Sequence, residues 1–262
     1  MRAPGARIRT QEHAATRTER VPVGLSQGST GEDVDSAARR AAEHLSRVQP
    51  LWSLAEKVAP AHTALVVVDV QNDFCSPDGM MSAEGLDVGS AVVTAERLEG
   101  FIGSARRAGV LVVFVRSVLS SEDNRYLSDV ILEQATRRRA GSYTLRPVCV
   151  EDSFGGDYYG NVRPAPGDPV VTKHRYSAFL RTDLETVLRT AGIRTVVLAG
   201  VATNVCVETT ARDAFMRDFY VVLCSDGTAA YSNTEHEATL TTIDHFFGQV
   251  ASIAEITTAW DH

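Results

Sequence analysis

At 262 residues, 44% hydrophobic and 7% aromatic, the chain can bury a sizeable core, and α/β proteins of this length often form a single domain. A formal net charge of −7 excludes the basic surface that nucleic acid or an anionic membrane requires, which leaves a small molecule as the expected partner. Cys75, Cys149, Cys206 and Cys224 form no CxxC pair, so neither a disulfide scaffold nor a thiolate zinc site is expected.

In chain order, residues 1–32 are rich in Arg, Thr, Gly and Ser with sparse, aperiodic apolar residues, and are expected to be a disordered tail. They lack the apolar core of a signal peptide, and no apolar run approaches the roughly 20 residues that span a bilayer, so the expected location is cytoplasmic. Residues 33–59 are expected to form a helical arm: Asp33 or Asp35 caps a helix through SAARRAAEHLSRV, and Trp52 and Leu54 dock on the core. Val34, Ala37, Ala38, Ala41, Leu45, Val48 and Leu51 fall at helical spacing, a stripe that packs on its own subunit or on a second one.

Residues 60–262 are expected to be one α/β domain. ALVVVDV, a helical stretch over VGSAVVTAERLEGFIGSARRA and VLVVFV read as strand, helix and strand. PVVTK, TDLETVLRTA and RTVVLAG repeat this grammar, and both helices stop at Ala-Gly, where glycine takes the left-handed position after the last turn. A helix (VETTARDAFMRDF), a strand (YVVLCSD), another helix (EHEATLTTIDHFF) and a short strand near Val250 follow. Continuous Val/Leu runs mean strands covered on both faces, and the intervening helices make them parallel. The predicted architecture is a three-layer αβα sandwich around a mainly parallel, Rossmann-like sheet of about six strands. Residues 118–168, with RRR, DYYG and PAPGD, are too long for a plain connection and read as a substrate-side insertion.

Ligands of an open parallel sheet bind at the carboxyl ends of its strands. Asp69 ends the first strand, Lys173 the third, and the fourth leads through Gly200 to Cys206. Each has an ordinary reading alone: a cap, a solvated charge, a buried hydrophobe. Together, an acid, a cation and a thiol suit acyl transfer by a thiolate. Lys173 and the helix start after Asn204 would lower the thiol's pKa, Asp69 would act as base and then acid, and N–H groups of the loop 201–206 would hold the oxyanion. Cys75 is the rival nucleophile, in a Pro/Asp/Gly loop near the same place, while Cys224 reads as packing. The seven histidines show no ligand spacing, and neither GxGxxG nor a P-loop is present, so no metal and no cofactor are expected.

VVVDVQNDF (66–74), the lysine of VVTKHRYSAF (170–179) and GVATNVCVETTARDAF (200–215) resemble the three catalytic blocks of the isochorismatase-like cysteine hydrolases, in the same chain order. The resemblance implies an Asp69–Lys173–Cys206 triad, an oxyanion hole from the amides of Ala202 and Cys206, and a cis peptide at Val201–Ala202. Within the family the motifs are most similar to the ureidoacrylate amidohydrolase branch, which cleaves N-carbamoyl groups. Asn72, Phe74 and Tyr176 then become substrate-binding positions, with Arg116 where that branch carries a glutamine. The implied function is hydrolysis of a C–N bond in a small amide, ureido or lactam compound through a thioester, and the implied state is a homodimer or homotetramer. A streptothricin-type lactam hydrolase and a nicotinamidase-like amidase are alternatives within the family. A thiol redox or binding protein is the alternative from another class.

Overall fold

The computed structural model describes residues 31–120, 125–138 and 147–261. The expected tail lies outside them apart from residues 31 and 32, which begin a helix. The chain divides into two units, residues 1–50 and 51–262. The described part of the first is one helix, α1 (Gly31–Arg47), laced by an Arg47–Glu43 ion pair at 2.5 Å and a longer Arg39–Asp35 pair at 3.6 Å.

The second unit opens with a short helix α2 (Leu54–Lys57), capped by Ser53 and Glu56 in a reciprocal capping box. Then come β1 (Thr63–Val68), two single-turn helices α3 (Asn72–Cys75) and α4 (Met80–Ala83), α5 (Gly89–Arg107), β2 (Leu111–Ser117) and α6 (Asp129–Arg138). The remainder is β3 (Val170–Lys173), α7 (Leu184–Thr190), β4 (Thr195–Val201), α8 (Glu208–Phe215), β5 (Tyr220–Ala229), α9 (Asn233–Phe246), β6 (Gln249–Ala251) and α10 (Ile253–Trp260). The six strands are all parallel, in the order β3-β2-β1-β4-β5-β6. Both Ala-Gly stops hold, with Gly109 and Gly192 at φ 77° and 71°.

Every residue of β1 and of β4 is buried, as β-branched runs covered on two faces must be. Leu65 and Val67 pack on one side against Leu98, Phe101 and Ile102 of α5 and Ile256 and Trp260 of α10. Ala64, Val66 and Val68 pack on the other against Leu184 and Leu188 of α7, Ala211 and Ala214 of α8 and Ile243 of α9. Trp260 stacks on Phe101 with ring centroids 5.3 Å apart and donates its indole N–H to the Val58 carbonyl at 2.9 Å. Leu54 packs against this core, whereas Trp52 does not dock: it is 78% exposed. The capping glutamate of α2 accepts its backbone N–H at 2.9 Å.

The strand order places the topological switch between β1, whose successors run to one side, and β4, which begins the other. Gly200 lets the two strands close there. A β-carbon at Gly200 would lie 2.0 Å from the Val68 carbonyl oxygen, and its φ of 112° suits glycine alone.

Candidate active site

Asp69 follows β1 with a φ of 52°, a left-handed conformation that aspartate tolerates better than most side chains. The turn ends the strand and aims the carboxylate back across the sheet's carboxyl edge. Its Oδ2 lies 2.7 Å from Nζ of Lys173, the last residue of β3, and both side chains are at most 1% exposed. The Lys173 ammonium donates to the Ser117 hydroxyl at 2.8 Å, the Arg175 carbonyl at 3.0 Å and Sγ of Cys206 at 3.3 Å. Asp69 Oδ2 takes the close ion-pair contact with the same ammonium, and the Asp69 carboxylate also interacts with the thiol of Cys206.

Cys206 sits in a wide π-type turn, Thr203–Val207, that joins β4 to α8. The peptide bond Val201–Ala202 ahead of it is cis. The Ala202 carbonyl accepts from the N–H groups of Val205 and Val207 at 3.1 and 3.2 Å, which folds the turn around this residue.

The electrostatics correct one expectation. The thiol of Cys206 is not lowered: burial pushes it up to about 12, since the pull of Lys173 is smaller than the desolvation cost and the Asp69 charge adds to the rise. Burial alone would discharge Lys173, but the neighbouring Asp69 and the sulfur reverse this and hold the ammonium above its ordinary range. The resting cluster is thus carboxylate, ammonium and protonated thiol. Cys75, the rival, is fully buried at the end of α3 and is pushed up to about 12 by burial and the Asp69 charge.

The other expected positions are placed variously. Asn72 donates its side-chain amide to the Phe154 carbonyl at 2.7 Å and so ties α3 to the insertion. Phe74 packs between the main core and a third apolar cluster built from Met81, Val88, Ala135, Val148 and Cys149. Tyr176 is 47% exposed in the loop after β3. Arg116 precedes Ser117 on β2, so strand alternation turns it to the opposite face of the sheet, beside Tyr158, which packs edge-on against Phe114. The structure does not bring it to the Lys173 side.

Three residues at the site were not anticipated. Ser117 lies between Asp69 and Lys173, and Gln71 braces it. The phenol of Tyr231, raised by burial and by the fields of Cys75, Cys206, Cys149 and Asp69, stays protonated and donates to the Phe74 carbonyl at 3.0 Å. Among the described residues no helix is long and apolar enough to cross a membrane, and no group of three His, Cys, Asp or Glu is placed to hold a metal.

Residues 63–255 match the isochorismatase domain family. The chain belongs to that family. A ureidoacrylate amidohydrolase from Pantoea ananatis is 32% identical over 230 residues, covering 84% of this chain and 91% of that protein. Its counterpart from Methylobacterium radiotolerans is 34% identical over 210 residues, covering 76% and 80%. Among solved structures, a cysteine hydrolase from Pseudomonas syringae pv. phaseolicola superposes with a TM-score of 0.68 at 28% identity, over 81% of this chain and 98% of that one. This isochorismatase-family hydrolase carries Asp69, Lys173 and Cys206 beside the switch point of its sheet.

Proposed function

We propose that the protein hydrolyses a C–N bond in a small amide or N-carbamoyl compound through a thioester on Cys206. The observation that carries the proposal is a buried acid, cation and thiol in mutual contact, 2.7 Å from Asp69 Oδ2 to Lys173 Nζ and 3.3 Å from Nζ to Sγ, at the carboxyl edge of a parallel sheet. Two amidohydrolases at 32% and 34% identity support this substrate class.

Because the thiol is protonated at rest, attack requires a base in contact with it. Asp69 takes the S–H proton as sulfur bonds to the carbonyl carbon, and Lys173 offsets the charge that develops on sulfur. The tetrahedral oxyanion is held by the amides of Ala202 and Cys206, which flank the nucleophile. As the C–N bond breaks, Asp69 returns the proton to the departing nitrogen. Water then attacks the thioester, releases the acid or carbamate and restores the thiol. No step calls for a metal or an organic cofactor.

The test is a screen of amides, ureido acids and lactams for ammonia release, repeated with Cys206→Ala and Cys206→Ser. Turnover should fall by about 10³-fold or more with the fold retained. Hydrolysis retained in either variant, with acyl adduct on Cys75, overturns the proposal.

A further inference from the structure

The β1–β2 ladder ends at Val68↔Val115, with a last bond from the Asp69 N–H to the Val115 carbonyl at 2.9 Å. Beyond it Asp69 turns away, and the next groups of β2 facing β1, the N–H and C=O of Ser117, have no backbone opposite them. The Gln71 side chain takes the place of that strand. Its Oε1 accepts from the Ser117 N–H at 2.7 Å, its Nε2 donates to the Ser117 carbonyl at 2.9 Å, and the remaining amide proton goes to the Gly156 carbonyl at 2.8 Å. Gln71 and Ser117 are fully buried. On the other side, the Val118 N–H donates to the Lys173 carbonyl at 2.9 Å. The backbone of Ser117 is thus pinned from both neighbouring strands, and its hydroxyl has a fixed origin.

That hydroxyl accepts from Lys173 Nζ at 2.8 Å and donates its single proton to Asp69 Oδ1 at 3.0 Å. An ammonium has no acceptor and a carboxylate no donor, so the direction of this relay cannot reverse. We infer that Ser117 is a positioning residue that, by occupying Oδ1, confines the transferred proton to Oδ2 of Asp69, the oxygen the hydroxyl leaves open.

The inference rests on Cys206 as the nucleophile. In acylation the S–H bond breaks, an Oδ2–H bond forms, and the sulfur electron pair bonds to carbon. In collapse the C–N pair passes to nitrogen, which takes the proton from Oδ2. A proton on Oδ1 would face the hydroxyl proton of Ser117, so it stays where the leaving nitrogen can collect it. Without the hydroxyl the two oxygens compete, and part of the time the proton sits on the oxygen the nitrogen does not meet.

The consequence depends on the leaving group. Two probes deliver the same carbamoyl group to sulfur: N-carbamoyl-β-alanine, which must protonate an amine to expel it, and p-nitrophenyl carbamate, whose phenolate departs unprotonated. In Ser117→Ala, acylation by the first should slow about 30-fold, a partial loss of the roughly 10²–10⁴-fold that general acid–base catalysis contributes, with KM changed less than about 3-fold. The nitrophenolate burst should slow by less than about 3-fold. Ser117→Thr keeps a hydroxyl and should restore amine expulsion. Equal losses on both probes would show that the hydroxyl merely supports the fold, and no loss on the amine probe would show that proton placement does not need it; either result overturns the inference. Turnover of both probes by Cys206→Ala would instead remove the reading beneath it.

Discussion

Lys173→Met separates the charge of the buried pair from the volume of the lysine stem, which methionine largely retains. At 2.7 Å the Asp69–Lys173 attraction is about 6 kcal/mol at an effective dielectric of about 20. Most of that offsets the cost of taking both charges out of water. The variant, however, keeps the Asp69 carboxylate buried and removes its counter-charge, a situation that typically costs about 3–5 kcal/mol. With both side chains at most 1% exposed, solvent screening does not relieve it. The Ser117 hydroxyl and the Arg175 carbonyl lose a donor as well.

For a domain of this size, each kcal/mol moves Tm by roughly 2–4 °C, so Lys173→Met should melt about 6–20 °C lower. The decisive measurement is a double-mutant cycle by urea unfolding with Asp69→Asn. Once the carboxylate is also gone, the double variant should be more stable than the sum of the singles predicts, by about 2–3 kcal/mol. A Lys173→Met protein as stable as wild type, or singles that simply add, would refute the account of a charge pair held by mutual neutralisation.

Burial also pushes all four thiols up, Cys75 and Cys206 to about 12 and Cys149 and Cys224 well above their ordinary value. The unfolded chain therefore sheds these protons first, near pH 9, and unfolding stability should fall above that pH by up to about 1.4 kcal/mol per pH unit per thiol; urea melts showing a flat profile from pH 9 to 10.5 would contradict this. Dialysis against EDTA should leave activity intact, since no described cluster of His, Cys, Asp or Glu is placed to hold a metal; activity lost with EDTA and regained with zinc would sink that expectation. The protein is expected to be a homodimer or homotetramer through its N-terminal arm, and deleting residues 1–50, which spares the Val58 carbonyl that receives Trp260, should reduce the mass seen by light scattering. A monomeric full-length chain would end the idea.

The sheet was legible because Val-rich runs bounded by glycine have few alternatives: all six strands fall within two or three residues of their expected bounds. Parity at strand ends was not. VLVVFV reads as a strand to Val115, but β2 continues to Ser117, and that extension puts Ser117 on the Lys173 face and Arg116 on the other. The Gln71–Ser117 pairing joins residues 46 apart in sequence through a side chain that imitates a strand, a contact no local pattern announces. Asp73 is a similar case. Its carboxylate accepts from the Met80 and Cys149 N–H groups at 3.0 and 2.7 Å and pins the insertion to α4.

The thiol shows most clearly why residue type is not enough. A cysteine beside a lysine at a helix start predicts a thiolate, because cation and N–H dipoles favour charge on sulfur. In the structure the sulfur shares its enclosure with Asp69, Cys206 as a whole is 7% exposed, and the desolvation cost exceeds what one lysine, already paired with a carboxylate, returns. Net charge decides the matter. Carboxylate plus ammonium is neutral, so ionising the thiol would leave one uncompensated negative charge in a buried site. On the proposed mechanism, the proton leaves sulfur only when a carbonyl carbon is present to receive the electrons. In that mechanism Asp69 takes it without the cluster changing its charge, and the same proton then goes to the leaving nitrogen one step later.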